Sequence, residues 1–374
     1  MGKSDFKNNY SMEFEQLSEI RTVLNKSPEY SHKEEATAKI LEGFLSQCNP
    51  DELYMNVGGF GIIAGFKGER AGETLMFRCE MDAVPTELGP LHLCGHDGHM
   101  AILIGLARVL SENRDFPGRV WLFFQPAEEV GEGASRMVPE LSRLNVSFDY
   151  AFALHNKPGI AENRIIIYEN VYAAASVGME LHFSGSASHA AYPEQAANPT
   201  FTILETVEEI KRINSNKNLF SDFVLGTVVN VHIGEANYGV TPGSGTLRIT
   251  LRAYDEMDLN LFCRRIESFA RERCFKSSLN ISVSYHDKFP ATINNAFACN
   301  MVEEAAKKLG CEWEYSQTPE RGSEDFAHFA SISKACFFDI GNGFEGDDIH
   351  REGYRFNDSL LPRALELYRT IIYR

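Results

Sequence analysis

The sequence predicts an α/β protein with a mostly parallel sheet and helices on both faces, into which a small α+β sandwich is inserted. Strand-like and helix-like segments alternate from about residue 53 to residue 155, as they do in mostly parallel sheets. Over residues 175–285 the order becomes strand, helix, strand, strand, helix, strand. With 374 residues, 44% of them hydrophobic, the chain can form two domains. We predict that residues 1–174 and 286–374 form the larger domain and residues 175–285 the inserted one.

In the larger domain, the segment up to about residue 45 is predicted to be helical, with a break at Pro28 and a helix entry at residues 30–35. Short strands with glycine turns follow over residues 53–85. An apolar helix is predicted at residues 100–110, and a further helix at 295–309. Continuous apolar runs at residues 120–124 and 150–154 are typical of buried central strands.

The inserted segment is predicted to contain two helices, at residues 199–214 and 258–274, and four strands. The strands cover residues 177–184, 223–235, 245–254 and 279–285.

The run Cys-Gly-His-Asp-Gly-His at residues 94–99 combines a thiolate with imidazoles, and Zn²⁺ accepts both ligand types. On a helix, Cys94 and His96 would diverge by roughly half a circle, so they can share an ion only from a turn or a strand end. We therefore predict a loop, made possible by its glycines, that leads into the helix.

A second polar group follows the apolar run at residues 120–124, where Gln-Pro-Ala-Glu-Glu occupies residues 125–129. Open α/β sheets place their active sites at the carboxyl ends of strands. One of the adjacent glutamates could bind a metal ion while the other faces the attacking water. His155 follows the next apolar run in the same way, so these groups are predicted to converge on a metal-hydrolase site.

The chain resembles the amidohydrolase branch of the aminoacylase and carboxypeptidase-like metallopeptidase family, which includes hippurate hydrolases and indoleacetyl-amino acid hydrolases. The matching motifs occur in the family's order along nearly the whole chain. They lie at residues 78–85, 94–99, 126–129, 153–155, 185–193, 323–326 and 349–350. The resemblance implies a metallopeptidase-like catalytic domain and an inserted lid that serves in dimerisation.

The resemblance also implies the site residues. Two divalent ions, Zn²⁺ first with Mn²⁺ or Co²⁺ as alternatives, would be held by five residues, with Glu128 as the general base and the cysteine bridging the ions. His189 would polarise the scissile carbonyl, in its own chain or in the partner subunit, and Asp82 and Glu324 would orient ligand histidines. The five expected metal ligands are Cys94, His96, Glu129, His155 and His350.

Two residues of the inserted segment, Arg252 and Asn237, are candidates for substrate binding. Arg252 could clamp a substrate carboxylate bidentately, although Arg248 on the same strand face competes for that role and either could be a solvated sheet residue. The family's Asn-Val-Ile-Pro appears here with two extra residues after Asn237, which weakens that match. Only residues 86–91 precede His92, where relatives have a longer connection, so substrate preference is open at this point.

Composition excludes several partners. A net charge of −16 argues against nucleic acid, because phosphate recognition needs clustered Lys and Arg. Residues 1–7 lack the apolar core of a signal peptide, and no apolar run approaches the roughly 20 residues of a membrane span.

Most of the eight scattered cysteines are expected to be reduced and buried. We expect a soluble, cytoplasmic homodimer that pairs through the lid.

The predicted function is metal-dependent hydrolysis of an N-acyl amino acid or related amide. A dipeptidase or carboxypeptidase with the same site is the enzymatic alternative, and a metal-free binding protein that retains the fold is the alternative from another class. The presence of every ligand together with the base argues against the last.

Overall fold

The computed structural model describes residues 3–374 and the side chains of residues 14–216 and 218–374. The chain divides into two compact units. The first comprises the described residues up to Tyr172 together with Thr292–Pro319 and Asp325–Arg374, and the second comprises Ala173–Ala291 and Glu320–Glu324. The domain boundaries placed after residues 174 and 285 from the sequence stay predictions.

Both units combine α-helices with β-strands. The helices, in chain order, are α1 (Lys3–Asn25), α2 (Glu35–Gln47), α3 (His96–Glu112), α4 (Gly133–Leu144), α5 (Thr200–Ser215), α6 (Glu256–Lys276), α7 (Ala296–Lys308), α8 (Ala327–Ala330) and α9 (Leu360–Ile372). The strands are β1 (Glu52–Val57), β2 (Gly61–Lys67), β3 (Arg70–Glu80), β4 (Val84–Thr86), β5 (Gly89–Leu91), β6 (Pro117–Gln125), β7 (Tyr150–Pro158), β8 (Ile165–Tyr168), β9 (Val171–Ala173), β10 (Ala175–Ser184), β11 (Val224–Ile233), β12 (Ser244–Ala253), β13 (Asn280–Phe289), β14 (Thr292–Ile293), β15 (Trp313–Ser316) and β16 (Lys334–Gly343).

The first unit is built on an eight-stranded sheet in the order β1-β2-β6-β3-β7-β16-β8-β15. Its four central strands, β6, β3, β7 and β16, run parallel, while β2 and β8 join them antiparallel. The predicted mostly parallel sheet is confirmed. Because parallel strands share a direction, the carboxyl ends of these four strands meet at one edge of the sheet.

Helix α3 begins earlier than the sequence predicted. It starts at His96 rather than at residue 100, directly after Gly95, which has φ +97°. The apolar pattern missed this first turn because its polar residues are buried with partners. The Asp97 carboxylate accepts hydrogen bonds from Arg21 and Asn25, both at 2.9 Å, and His99 pairs with Glu80.

The second unit is a four-stranded antiparallel sheet in the order β11-β12-β10-β13. Alternate strand residues, such as Leu181 and Phe183, pack with apolar residues of α5 and α6, including Ile203, Ile210 and Phe262. The predicted separate α+β domain is therefore confirmed, with each element within a few residues of its expected bounds. Among the helices of the described chain, none combines the length and the apolarity required to cross a bilayer.

Candidate metal centre

The first unit brings the five expected metal ligands to the carboxyl edge of the central strands. Cys94 lies in the loop before α3, and His96 is the first residue of that helix. Glu129 lies in the turn after β6, and His155 near the end of β7. His350 follows β16 and has φ +64°, with its backbone N–H donated to the Leu93 carbonyl at 2.8 Å.

The sulfur of Cys94 lies at the centre of this arrangement. Its Sγ is 3.3 Å from His155 Nε2 and 3.3 Å from His350 Nε2, and His350 Nε2 is 3.5 Å from Glu129 Oε2. Donor atoms of Cys94, His96 and His155 all lie within 4.8 Å of one another, and so do those of Cys94, Glu129 and His350. Two three-donor groups therefore share the Cys94 thiol, and together their side chains could hold two divalent ions.

Glu128 lies beside these two groups, and its carboxylate forms a third group of donor atoms with His96 and Glu129. His96 Nε2 is 3.9 Å from Glu128 Oε2 and 4.0 Å from Glu129 Oε1. Both glutamate side chains are about one-tenth exposed, so water can reach them. The two carboxylates can thus serve one site in different roles.

Hydrogen bonds fix the tautomers of two of the histidines. Nδ1 of His96 is 2.9 Å from the Asp82 carbonyl, and Nδ1 of His155 is 2.8 Å from the Asn156 carbonyl. Because a carbonyl oxygen only accepts, Nδ1 carries the hydrogen and Nε2 presents its lone pair. Burial lowers the pKa of His96 to about 4, against the opposing charges of Glu80 and Asp82. Burial likewise lowers the pKa of His155 to about 3. Neutral imidazoles, a thiol and a carboxylate form a donor set that fits divalent transition ions.

Asp82 connects the metal-ligand segment at residues 94–99 with the glutamate pair at residues 128–129. It is fully buried, and its Oδ2 accepts hydrogen bonds from the Glu129 N–H at 3.0 Å and from the Ser31 hydroxyl at 2.8 Å. Its own carbonyl receives the His96 Nδ1–H. Its carboxylate thus contacts Glu129 and its carbonyl contacts His96, while the expected orientation of ligand histidines by Asp82 stays a prediction.

A buried polar network underlies His155. The Arg78 guanidinium pairs with Glu80, whose other oxygen is 2.7 Å from His99 Nδ1. His99 Nε2 is in turn 2.9 Å from Asn156 Oδ1. Burial alone would raise the pKa of Glu80, but the charges of Arg78 and His99 outweigh it and hold that pKa well below its usual range. Glu80 is therefore ionised and fixes the ring of His99.

Gly95 is required by the close approach of this network. A Cβ at this position would lie 2.1 Å from Asn156 Oδ1 and 2.6 Å from the Tyr354 hydroxyl, and its φ of +97° disfavours other residues. The glycine that the sequence placed in a turn thus also lets the metal loop pack against Asn156.

The remaining expected site residues belong to the second unit. His189 is exposed, and its Nδ1 accepts a hydrogen bond from the Ala191 N–H at 3.0 Å. Arg252 donates to the Ser323 hydroxyl at 2.8 Å and to the Arg321 carbonyl at 3.2 Å. Asn237 is exposed and accepts from the Gly239 N–H at 2.7 Å, while Glu324 is buried.

One site residue was missed from the sequence. Glu34 is fully buried, and its Oε1 accepts a hydrogen bond from the backbone N–H of Ala127 at 2.9 Å. Burial, with the nearby charge of Asp82, raises the pKa of Glu34 to about 7 although its hydrogen bonds oppose the shift. In the sequence it stands in a helix entry, where acidic residues are common, so no local signal sets it apart.

Residues 76–374 match the profile of peptidase family M20/M25/M40. Hippurate hydrolase of Campylobacter jejuni is 28% identical over 370 residues, which cover 95% of each chain. IAA-amino acid hydrolase ILR1-like 2 of Arabidopsis thaliana is 28% identical, over 96% of this chain and 84% of the relative. Bacillus subtilis YXEP, described as a dinuclear metal-binding peptidase of family M20, superposes with a TM-score of 0.82 at 23% identity, covering 96% of this chain and 97% of that one.

A mostly parallel α/β unit with clustered metal-type donors at its strand ends, together with a separate α+β unit, defines the metal-dependent hydrolase class. The chain belongs to peptidase family M20/M25/M40, as its match over most of its length shows. The predicted family and fold are confirmed.

Proposed function

We propose that this protein is a dinuclear metal-dependent amidohydrolase that cleaves N-acyl amino acids or related linear amides to a carboxylic acid and an amine. The observation that carries the proposal is the pair of three-donor groups sharing Cys94, with Glu128 beside them. The names of the relatives, a hippurate hydrolase and an indoleacetyl-amino acid hydrolase, support the substrate class.

Glu128 is assigned as the general base. When bound by Cys94, His96, Glu129, His155 and His350, two divalent ions would polarise the amide carbonyl and lower the pKa of a water molecule from 15.7 to about 7. A modest base then suffices, so the Glu128 carboxylate removes the proton from the attacking water and returns it to the leaving nitrogen. Asp82 and Asn156 meanwhile hold Glu129 and His155 in position.

Arg252 is proposed to bind the substrate carboxylate. Arg248, its competitor, is paired with Glu180 on the neighbouring strand at 2.5 Å. Arg252 donates only to neutral oxygens in the hydrogen bonds found for it within the second unit. Its charge is therefore better placed to bind an anionic substrate group. Asn237 is proposed as a further substrate contact.

His189 is proposed as the oxyanion donor. Because its Nδ1 accepts from the Ala191 N–H, a neutral ring carries its hydrogen on Nε2 and can donate it to a developing negative charge. We expect His189→Ala to retain the fold and metal while turnover falls by roughly 10²–10³.

We further propose a homodimer that forms through the second unit. Strand β11 is at an edge of its sheet and carries exposed Val229 and Val231, which favours pairing with a second copy. If His189 acts across the dimer, mixing His189→Ala with Glu128→Gln should restore partial activity through hybrid sites. Mutants that exchange subunits but stay inactive would restrict His189 to its own chain.

The metal is proposed to be Zn²⁺, with Mn²⁺ or Co²⁺ as alternatives, because a thiolate and imidazoles suit Zn²⁺. A cytoplasmic location is proposed because all eight cysteines are free thiols, as expected in a reducing compartment. A dipeptidase using the same machinery is the second candidate, and YXEP, described as a peptidase, is the neighbour that favours it.

The decisive experiment compares neighbouring glutamates. Glu128→Gln should keep its metal but lose about 10²–10⁴ of the turnover, whereas Glu129→Gln should lose both metal and turnover. Metal content is measured by elemental analysis, and turnover on acyl-amino acids and dipeptides with Zn²⁺, Mn²⁺ or Co²⁺ added. Near-normal turnover of Glu128→Gln would refute the assignment of the base, and dipeptides hydrolysed in preference to acyl-amino acids would favour the second candidate.

A further inference from the structure

The loop of residues 29–34 contacts both sides of the glutamate pair. Glu34 Oε1 accepts the Ala127 N–H at 2.9 Å and the His32 N–H at 3.0 Å. Three residues earlier, the Ser31 hydroxyl donates to Asp82 Oδ2, which also accepts the Glu129 N–H. One short loop thus supports the residue before Glu128 directly, and Glu129 through Asp82.

Ala127 adopts a conformation that needs such support. Its φ is +51°, in the left-handed region that is sterically unfavourable for a residue other than glycine. Its carbonyl accepts the N–H groups of Glu132 and Gly133, both at 3.1 Å, while its own N–H is donated to Glu34. The residue is therefore held on both sides, and the chain reversal that it makes sets the direction in which Glu128 leaves β6.

The burial of Glu34 is costly for the fold. The side chain is fully buried, and its second oxygen, Oε2, has no hydrogen-bond partner within the described part of the chain. Burying a carboxyl group that is only partly hydrogen-bonded costs stability. Local features that cost stability in this way are expected at functional sites, where another requirement outweighs the cost.

We propose that Glu34 is a positioning residue for the general base: its buried carboxyl group holds the Ala127 peptide in the left-handed conformation that presents Glu128 to the site. Asp82, supported by Ser31, holds the neighbouring Glu129 separately. This inference rests on the proposed function, since it takes Glu128 to be the base. Two residues of one loop then have different roles. Glu34 positions the base that transfers the proton, and Ser31, through Asp82, helps to retain the metal.

The different roles of Glu34 and Ser31 can be tested with separate variants. Glu34→Ala removes the acceptor for the Ala127 N–H, whereas Glu34→Gln keeps an oxygen at that place. Ser31→Ala removes the support of Asp82 instead. Glu29→Gln is the matched control, because the Glu29 carboxylate lies in the same loop but accepts the Ala36 and Thr37 N–H groups at the start of α2.

In the metal-loaded enzyme we expect Glu34→Ala to lower kcat about 10–100-fold, the effect of leaving the buried Ala127 N–H without its acceptor, with KM within about twofold and metal content unchanged. Glu34→Gln should recover most of kcat. Ser31→Ala should release metal faster to a chelator while kcat at saturating metal stays near normal. Glu29→Gln should change neither kcat nor metal retention.

A second readout does not depend on activity. Hydrogen exchange of the backbone amides in residues 126–131 should accelerate about tenfold or more in Glu34→Ala but not in Glu34→Gln. If Glu34→Ala does not fold, Glu34→Asp replaces it, because it withdraws the carboxyl group by one methylene, and the same results are expected.

Unchanged kcat and unchanged exchange in Glu34→Ala would overturn the proposal, and so would an equal loss of kcat in Glu34→Ala and Glu34→Gln. The proposed function fails separately. If Glu128→Gln were fully active, Glu128 would not be the base, and the exchange of the Ala127 amide would still decide whether Glu34 holds this peptide.

Discussion

Replacing Glu34 by glutamine should stabilise the fold relative to the natural protein, by an amount that grows as the pH rises. Burial raises the pKa of this carboxyl group from 4.5 to about 7. The native state therefore binds the proton more tightly than the unfolded chain, and stability is lost as the pH rises from 4.5 to 7. A pKa difference of about 2.5 corresponds to a loss of roughly 3 kcal/mol in the free energy of unfolding once the group is ionised in both states. Roughly 2 kcal/mol of this loss occurs between pH 5.5 and 8.5. Glutamine carries no titrating proton and avoids this loss.

The assay is urea unfolding of the metal-free proteins across that pH range. Both tryptophans, Trp121 and Trp313, lie in the first unit, so their fluorescence reports on the unit that contains Glu34. The free-energy difference between Glu34→Gln and the natural protein should grow by roughly 2 kcal/mol from pH 5.5 to 8.5. Glu35→Gln, at an exposed position beside Lys39, should show no such growth. A difference that stays constant or shrinks with pH would refute the reasoning.

Three further expectations follow from the site. Alkylating reagents should label Cys94 faster after chelation, since a bound ion occupies its sulfur, and mass-spectrometric mapping that finds equal labelling would contradict this. Gly95→Ala should lose metal, because its Cβ would lie 2.1 Å from Asn156 Oδ1, whereas Gly43→Ala, with nothing within 4 Å, should keep it. Arg252→Ala should raise KM about tenfold or more for a substrate with a free carboxylate but not for its amide-capped analogue. Arg248→Ala should leave KM unchanged for both substrates.

The fold was largely predictable because its signals are local. The apolar runs that became β6 and β7 are continuous, as strands buried on both faces require, and their polar ends led to Glu128, Glu129 and His155 as candidate site residues. The order of elements in the second unit could be read in the same way. The start of α3 could not be predicted in this way, because the partners of Asp97 and His99 lie in α1 and β3, far away in sequence.

The residues that support Glu128 and Glu129 were not predictable for the same reason. Glu34 is 93 residues from Ala127, and Ser31 is 51 residues from Asp82. Each of these side chains looks ordinary within its own segment, where hydroxyl and carboxyl groups commonly begin helices. Their roles come from the strand order, which brings the ends of β3 and β6 together beside the segment that precedes α2.

Several residues at the site have positive φ, and three of them lie at or next to an expected ligand or the proposed base. Gly95, Ala127 and His350 have φ values of +97°, +51° and +64°. Only Gly95 adopts such a conformation without steric cost. The other two donate their backbone N–H groups to distant residues, Ala127 to Glu34 and His350 to the Leu93 carbonyl. The protein alone makes these hydrogen bonds, so they do not depend on a metal ion. The backbone that directs Glu128 and His350 should therefore keep this conformation when metal is removed.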